Sequence, residues 1–189
     1  MFDMRAKMFN RRAAGPKSMP DAVIRDLGLG PGQTVIDVGS GGGYFSLRFA
    51  KAVGSEGLVY AVDTNPTLLG YVGRRAAGSS LSNLHTVITD GFPSSIPDSS
   101  ASLAFIRNVY HHLDDPASYF TRMRRLLKPG GKVVIIDYRD NAGGFSFHSL
   151  FEHSVSAADV EKDMKAAGFK MERSFDYLPE QYFMVFTPA

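Results

Sequence analysis

Thr34-Val35-Ile36-Asp37-Val38-Gly39-Ser40-Gly41-Gly42-Gly43-Tyr44 is the stretch whose reading decides the fold. Its first half is apolar on both faces, as a central strand of a parallel sheet must be. Its second half is a glycine loop, followed by a helical pattern from about Tyr44 to Val53. Ligands of open α/β sheets bind at the carboxyl ends of strands, where this loop lies. Glycine there adopts positive φ and admits close backbone approach. A bare tight turn is the alternative, but Gly39, Gly41 and Gly43 together with Gly42 exceed what a turn needs. A nicotinamide fingerprint spaces its glycines G-x-G-x-x-G, and Tyr44 stands at its last position, where helix and strand pack closely. The spacing here is G-x-G-x-G, with Asp37 two residues ahead. That acid would repel a pyrophosphate and suits a cationic ligand.

Outward from this stretch, apolar runs alternate with helical patterns, the signature of a parallel sheet covered by helices. The pattern predicts helices over 1–13, about 20–28, about 116–127 and about 157–167. Strands are expected at 34–38, 58–63, 85–88, 103–106 and 132–137. Gly15-Pro16 breaks the first helix and Gly28 ends the second. Asn65-Pro66 and Asp115-Pro116 read as N-caps with proline in the first turn. Ser156 and Asp159 resemble a capping box. Lys128-Pro129-Gly130-Gly131 reads as a turn into the fifth strand. Strands at about 169–176 and 181–187 are separated by Leu178-Pro179-Glu180, short enough for an antiparallel hairpin. Residues 138–156 form a long connection rich in Phe and His.

At 189 residues the chain suits one domain, 1–189. The formal net charge of +2 argues against a dedicated nucleic-acid binder. With no cysteine, disulfides, thiolate metal sites and cysteine nucleophiles are excluded. No apolar run spans a bilayer. The opening residues lack the apolar stretch of a secretory signal, so a cytoplasmic location is expected. Oligomeric state stays open.

Asp37 suits a cationic ligand such as S-adenosylmethionine, with its sulfonium and α-ammonium. The sequence resembles the class I S-adenosylmethionine-dependent methyltransferases, from about residue 20 to the end. Asp37 to Gly43 resembles the family's first motif. Asp63 falls where the family binds the ribose hydroxyls, and Thr89-Asp90-Gly91 where an acid faces the adenine amine. Leu126 to Val133 resembles the turn opening strand five. The resemblance is to the small-molecule branch that includes quinone and sterol C-methyltransferases. It implies a doubly wound, mostly parallel seven-stranded sheet with the C-terminal hairpin, a Rossmann-like fold. It also implies cofactor contacts at Asp37, Gly39, Ser40, Gly41, Gly43, Asp63, Thr64, Asp90, Gly91, Asn108 and His112, with S-adenosylhomocysteine as product. Two other readings stand beside it: Asp63 as a strand-end cap, and Asp90-Gly91 as an Asx-type turn.

The fourth strand leads into Arg107-Asn108-Val109-Tyr110-His111-His112. Val109-Tyr110 stands where many amine-methylating enzymes carry two prolines, which shifts the expectation from nitrogen toward carbon or oxygen. His111 reads either as a general base or as a loop-ordering group, and His112 as packing on the cofactor. The 138–156 segment reads as a substrate-side loop or as satellite core, with Tyr138 and His153 as further candidates near the acceptor. Arg139 reads as a partner for an anionic group or as solvated surface. Residues 1–19 read as a helical lid, or through Arg5, Lys7, Arg11 and Arg12 as a peripheral contact with an anionic membrane. No metal is expected.

The sequence thus predicts methyl transfer from S-adenosylmethionine to a small molecule. One alternative is a catalytically silent cofactor-binding module that acts through a partner. Another is RNA methylation, supported only by Arg122, Arg124, Arg125 and Lys128.

Overall fold

A computed structural model describes residues 3–139 and 155–189. Seven strands form one sheet: β1 (Thr34–Val38), β2 (Leu58–Asp63), β3 (Leu84–Ile88), β4 (Ala101–Arg107), β5 (Leu127–Tyr138), β6 (Phe169–Phe175) and β7 (Gln181–Pro188). Their order is β3-β2-β1-β4-β5-β7-β6. All pairings are parallel except those of β7, which runs antiparallel to β5 and β6. This is the doubly wound sheet with a C-terminal antiparallel hairpin that the sequence predicts.

Six α-helices are described: α1 (Asp3–Ala13), α2 (Pro20–Leu27), α3 (Tyr44–Val53), α4 (Pro66–Gly78), α5 (Pro116–Leu126) and α6 (Ala157–Ala166). Local chemistry sets their ends. The Asn65 side chain accepts from the backbone N–H of Thr67 at 2.9 Å, and Pro66 needs no partner in the first turn. Asp115 accepts from Ser118 N at 3.0 Å and Ser156 Oγ from Asp159 N at 3.1 Å. Gly28 closes α2 with φ 61°.

The sheet separates two cores. On one face Val35, Val59, Phe105 and Ile136 meet Phe45, Phe49 and Val53 of α3, Val72 of α4 and Val23 of α2. On the other, Ile36, Ile106 and Ile135 meet Phe120 and Met123 of α5 and Met164 of α6. The winding reverses between β1 and β4, so the loops after these two strands diverge and leave a crevice.

Strand β5 begins at Leu127, five residues earlier than the sequence suggests. Leu127 pairs with Ala101, and regular pairing resumes at Lys132 with Leu103. Lys128 to Gly131 are therefore an irregularity within a strand, with Gly130 at φ 76°, and not a turn before it.

The turn after β1 is pressed from three sides. A Cβ on Gly42 would stand 2.4 Å from the Ala6 carbonyl of α1. One on Gly39 would stand 2.2 Å from Val109 Cγ2, and one on Gly43 would stand 2.8 Å from Val72 Cγ2. Asn10 Nδ2 donates to the Gly42 carbonyl at 2.8 Å, so α1 is tied directly to the glycine loop. Asp37 is 4% exposed within β1, and Ser46 of α3 donates to its carboxylate. Burial first of all raises the Asp37 carboxyl to about 7.

Gly42→Ala is expected to push α1 off the loop, at a cost of roughly 1–3 kcal/mol. Limited proteolysis near the N-terminus, with the thermal midpoint, measures this; wild-type values for both would contradict the packing. A second expectation follows from Asp37, whose folded pKa lies above its unfolded value. Below about pH 4 the group is protonated in both states and carries no penalty. As pH rises to about 7 the unfolded chain ionises first, so stability is lost across that window, by up to about 4 kcal/mol. Denaturant titrations should show Asp37→Asn gaining on wild type from pH 4 to pH 7; parallel curves would contradict it.

Candidate functional site

The glycine loop opens the crevice. Gly39, Gly41 and Gly43 have φ of 66°, 53° and 73°. Ser40 N donates to the Val62 carbonyl at 2.9 Å and Gly41 N to Asp63 Oδ2 at 2.9 Å, which ties the loop to the end of β2. Ser40 Oγ is buried with no hydrogen-bond partner among the described residues. Tyr44 begins α3 half-buried, its hydroxyl accepting from Arg48 Nη1 at 3.0 Å.

Asp63 caps its own strand end as well: Oδ1 accepts from Asn65 N at 2.9 Å. Each of its oxygens thus holds one backbone donor and has a second lone pair to offer. Thr64 beside it is exposed. Thr89 N donates to the Asp63 carbonyl at 3.2 Å and sets the next loop against β2. The turn there is made by Thr89, not by Asp90: Thr89 Oγ1 accepts from Gly91 N at 3.1 Å. The Asp90 carboxylate stays exposed and is left to an open hollow of about 350 Å³. Ile88, Thr89, Asp90, Phe92, Ser94 and Ser95 line that hollow.

Strand β4 ends on the other side of the crevice. Arg107 Nη2 donates to Ser18 Oγ at 2.9 Å and to Gln181 Oε1 at 2.8 Å, and the guanidinium lies 5.1 Å from the Phe45 ring centre. Burial lowers its pKa, while Tyr138, Asp137 and Asp37 act to raise it. Gln181 Nε2 donates to Asn108 Oδ1, and Asn108 sits at φ 56°. That left-handed conformation turns the chain sharply into the histidines.

His111 Nδ1 lies 2.9 Å from Asp137 Oδ1 and 3.0 Å from Oδ2. Its side chain is 7% exposed and that of Asp137 3%. His112 is exposed, its ring centre 4.0 Å from that of His111. Tyr110 is buried and donates its hydroxyl to Asp163 Oδ2 of α6 at 2.7 Å, bracing the histidine turn from below. Tyr138 is half-buried, and burial raises its phenol pKa. Arg139 Nε donates to the Gln181 carbonyl at 3.1 Å, so its guanidinium is engaged by β7.

The site residues expected from the sequence fall into two groups. Asp37, Gly39, Ser40, Gly41, Gly43, Asp63 and Thr64 come together at the ends of β1 and β2, with Asp90 and Gly91 beside them. Asn108, His111, His112 and Tyr138 gather at the ends of β4 and β5. Val109 against Gly39 joins the groups. His153, with Phe145, Phe147, His148 and Phe151, lies outside the described residues. Asp137, Arg107 and Gln181 were not expected as site residues. The one signal for Asp137 was an acid ending a buried apolar strand on the active edge. Two residues of the basic stretch have partners within the chain: Arg122 stacks 4.0 Å from the Phe92 ring centre and Arg125 pairs with Asp98 at 2.8 Å. Among the described residues no helix is long and apolar enough to cross a membrane, and no three His, Cys, Asp or Glu gather as metal ligands.

Known proteins share this fold and parts of this sequence. A crystal structure described as a SAM-dependent methyltransferase from Aquifex aeolicus superposes with a TM-score of 0.82. The match covers 96% of this chain and 98% of that one at 22% identity, a likeness of fold. The chain is 31% identical over 113 residues to a ubiquinone/menaquinone biosynthesis C-methyltransferase UbiE of Vibrio vulnificus, covering 59% of this chain and 43% of that protein. It is 32% identical over 113 residues to phosphoethanolamine N-methyltransferase 2 of Caenorhabditis elegans, covering 60% of this chain and 25% of that protein. The chain thus spans less than half the length of these curated relatives. The methyltransferase-domain family model matches residues 36–135, from the middle of β1 to the middle of β5. That segment is more than half of the chain and carries the glycine loop, Asp63, His111 and His112: the chain belongs to the methyltransferase-domain family.

Proposed function

We propose that this protein transfers a methyl group from S-adenosylmethionine to a small-molecule acceptor, at carbon or oxygen. The observation that carries this reading is the junction of β1 and β2. A glycine-rich loop, bare of side chains except at Ser40, meets a carboxylate, Asp63, that fixes the loop and keeps lone pairs for a diol. The residues fit the ligand in further respects. Ser40 supplies a buried hydroxyl that has no partner among the described residues. Asp90, exposed after β3, lines the hollow there. Asp37 brings a buried acid beneath the loop, suited to a cationic ligand.

When bound, the ligand supplies a sulfonium methyl that is already electrophilic. The chain's part is to orient the acceptor in line with that methyl and to exclude water. Asp37, Gly39, Ser40, Gly41, Gly43, Asp63, Thr64, Asp90 and Gly91 hold the donor. Asn108 and His112 flank it from β4. Val109-Tyr110 in place of two prolines supports carbon or oxygen over nitrogen as the methylated atom. The matched relatives include both a C-methyltransferase and an N-methyltransferase by name, so the acceptor chemistry rests on this chain's own residues. A cytoplasmic location belongs to the same reading.

Calorimetry should show S-adenosylmethionine and S-adenosylhomocysteine binding to the full chain, and Asp63→Ala should weaken both roughly 10–100-fold. Unchanged affinity in that variant would remove the ribose assignment. Incubation with labelled S-adenosylmethionine and a small-molecule extract should yield labelled products; binding without turnover would favour a silent module. Affinity for the cationic donor should rise with pH toward a plateau above about pH 7. Its charge favours the ionised Asp37 carboxyl, so binding releases a proton below that point. Asp37→Asn should flatten this profile, and a slope unchanged in the variant would assign it to another group.

A further inference from the structure

We propose that Asp137 is a positioning residue that holds His111 as a general base, and that the methyl acceptor is therefore one that must lose a proton: a phenol, enol, other hydroxyl or acidic C–H. This rests on the methyl-transfer reading above.

The Asp137 carboxylate is held in place by backbone and in turn holds the ring. Tyr138 N donates to Oδ1 at 2.8 Å and His111 N approaches Oδ2 at 3.4 Å. His111 Nδ1 stands between the two oxygens, at 2.9 and 3.0 Å. An ionised carboxylate only accepts, so Nδ1 must carry the proton. The lone pair of the neutral ring is then on Nε2. Which ring nitrogen of a histidine carries the proton is set by its hydrogen-bond partners, so this tautomer is imposed by Asp137.

Location gives the pair its role. His111 follows β4 and Asp137 ends β5, neighbouring strands whose carboxyl ends face the crevice. The turn bearing His111 touches the glycine loop through Val109 and Gly39. Tyr110 to Asp163 already braces that turn, which leaves a second, buried, charged brace without a purely mechanical need. An amine acceptor attacks through its own lone pair and needs no base at that moment. A hydroxyl or carbon acid does need one. In the step, His111 Nε2 takes the acceptor's proton as the acceptor's electron pair forms the bond to the methyl carbon. The carbon–sulfur bond breaks with its pair left on sulfur, as a neutral thioether. The imidazolium, steadied by Asp137, then gives the proton to solvent.

The test uses the full chain labelled with ¹⁵N. Long-range ¹H–¹⁵N spectra at a pH where the ring is neutral should show His111 protonated on Nδ1. In Asp137→Asn, whose amide offers a donor as well as an acceptor, the tautomer should become mixed or reversed. In the extract assay, kcat for that variant and for His111→Ala should fall roughly 10²–10⁴-fold. KM and S-adenosylmethionine affinity should stay within about threefold of wild type, and Asp137→Glu should recover part of the loss. Labelled products should be ethers or C-methyl compounds. A wild-type ring protonated on Nε2, or an unchanged tautomer in Asp137→Asn, overturns the positioning role. Wild-type kcat in both variants overturns the base, and N-methyl products overturn the acceptor class. If no product forms at all, the methyl-transfer reading falls with the acceptor class, while the spectra still judge Asp137.

Discussion

The tight passage of the backbone through Gly39 to Gly43 is the constraint on which the rest of the site depends. The chain leaves a buried strand, reverses within five residues and enters α3, while Ala6, Val72 and Val109 press on it from three elements. A Cβ does not fit at Gly39, Gly42 or Gly43, and positive φ at Gly39, Gly41 and Gly43 makes the reversal possible. Because the loop is held so tightly, it fixes its neighbours. Asn10 sets α1 against it, Asp63 sets β2, and Val109 sets the turn that carries the histidines.

Electrostatics divide along the sheet. Side chains alternate across a strand, so Asp37 and Arg107 point to the α3 face while Asp137 points to the α5 face. Each acid has a hydrogen-bond partner on its own side, Ser46 for Asp37 and His111 for Asp137. Arg107 lies between them in charge, bonded to Ser18 and Gln181 and drawn on by both acids at longer range. Buried charged groups are seldom the most stable filling for a core. Their concentration at the carboxyl ends of β1, β4 and β5 marks where local consistency yields to function.

Much of this was legible residue by residue. The caps at Asn65, Asp115 and Ser156 depend on side chains within three positions of the donor they satisfy, so short spacing identifies them. The hairpin at the C-terminus follows from a connection too short for a crossover. Other features escaped because their cause is remote in sequence. Strand β5 starts at Leu127 because Ala101 is there to pair with it, and Pro129-Gly130 looks like a turn until that partner is known. At residues 89–91 the serviceable hydroxyl of Thr89 makes the turn, which leaves the Asp90 carboxylate exposed.

The sequence by itself determined the strand–loop–helix at 34–53, the order of strands and helices, and the kind of ligand its acids and glycines suit. These are local matters: periodicity, caps and the absence of a Cβ. The tertiary structure alone decided that α1 lies on the glycine loop, that Arg107 is shared by Ser18 and Gln181, and that His111 meets Asp137 across 26 positions of chain. Nothing periodic links those residues. His111 and Asp137 meet because parallel pairing brings the carboxyl ends of β4 and β5 to one edge, where buried polar groups need partners. The glycine loop announced where the site is, and the sheet chose what stands around it.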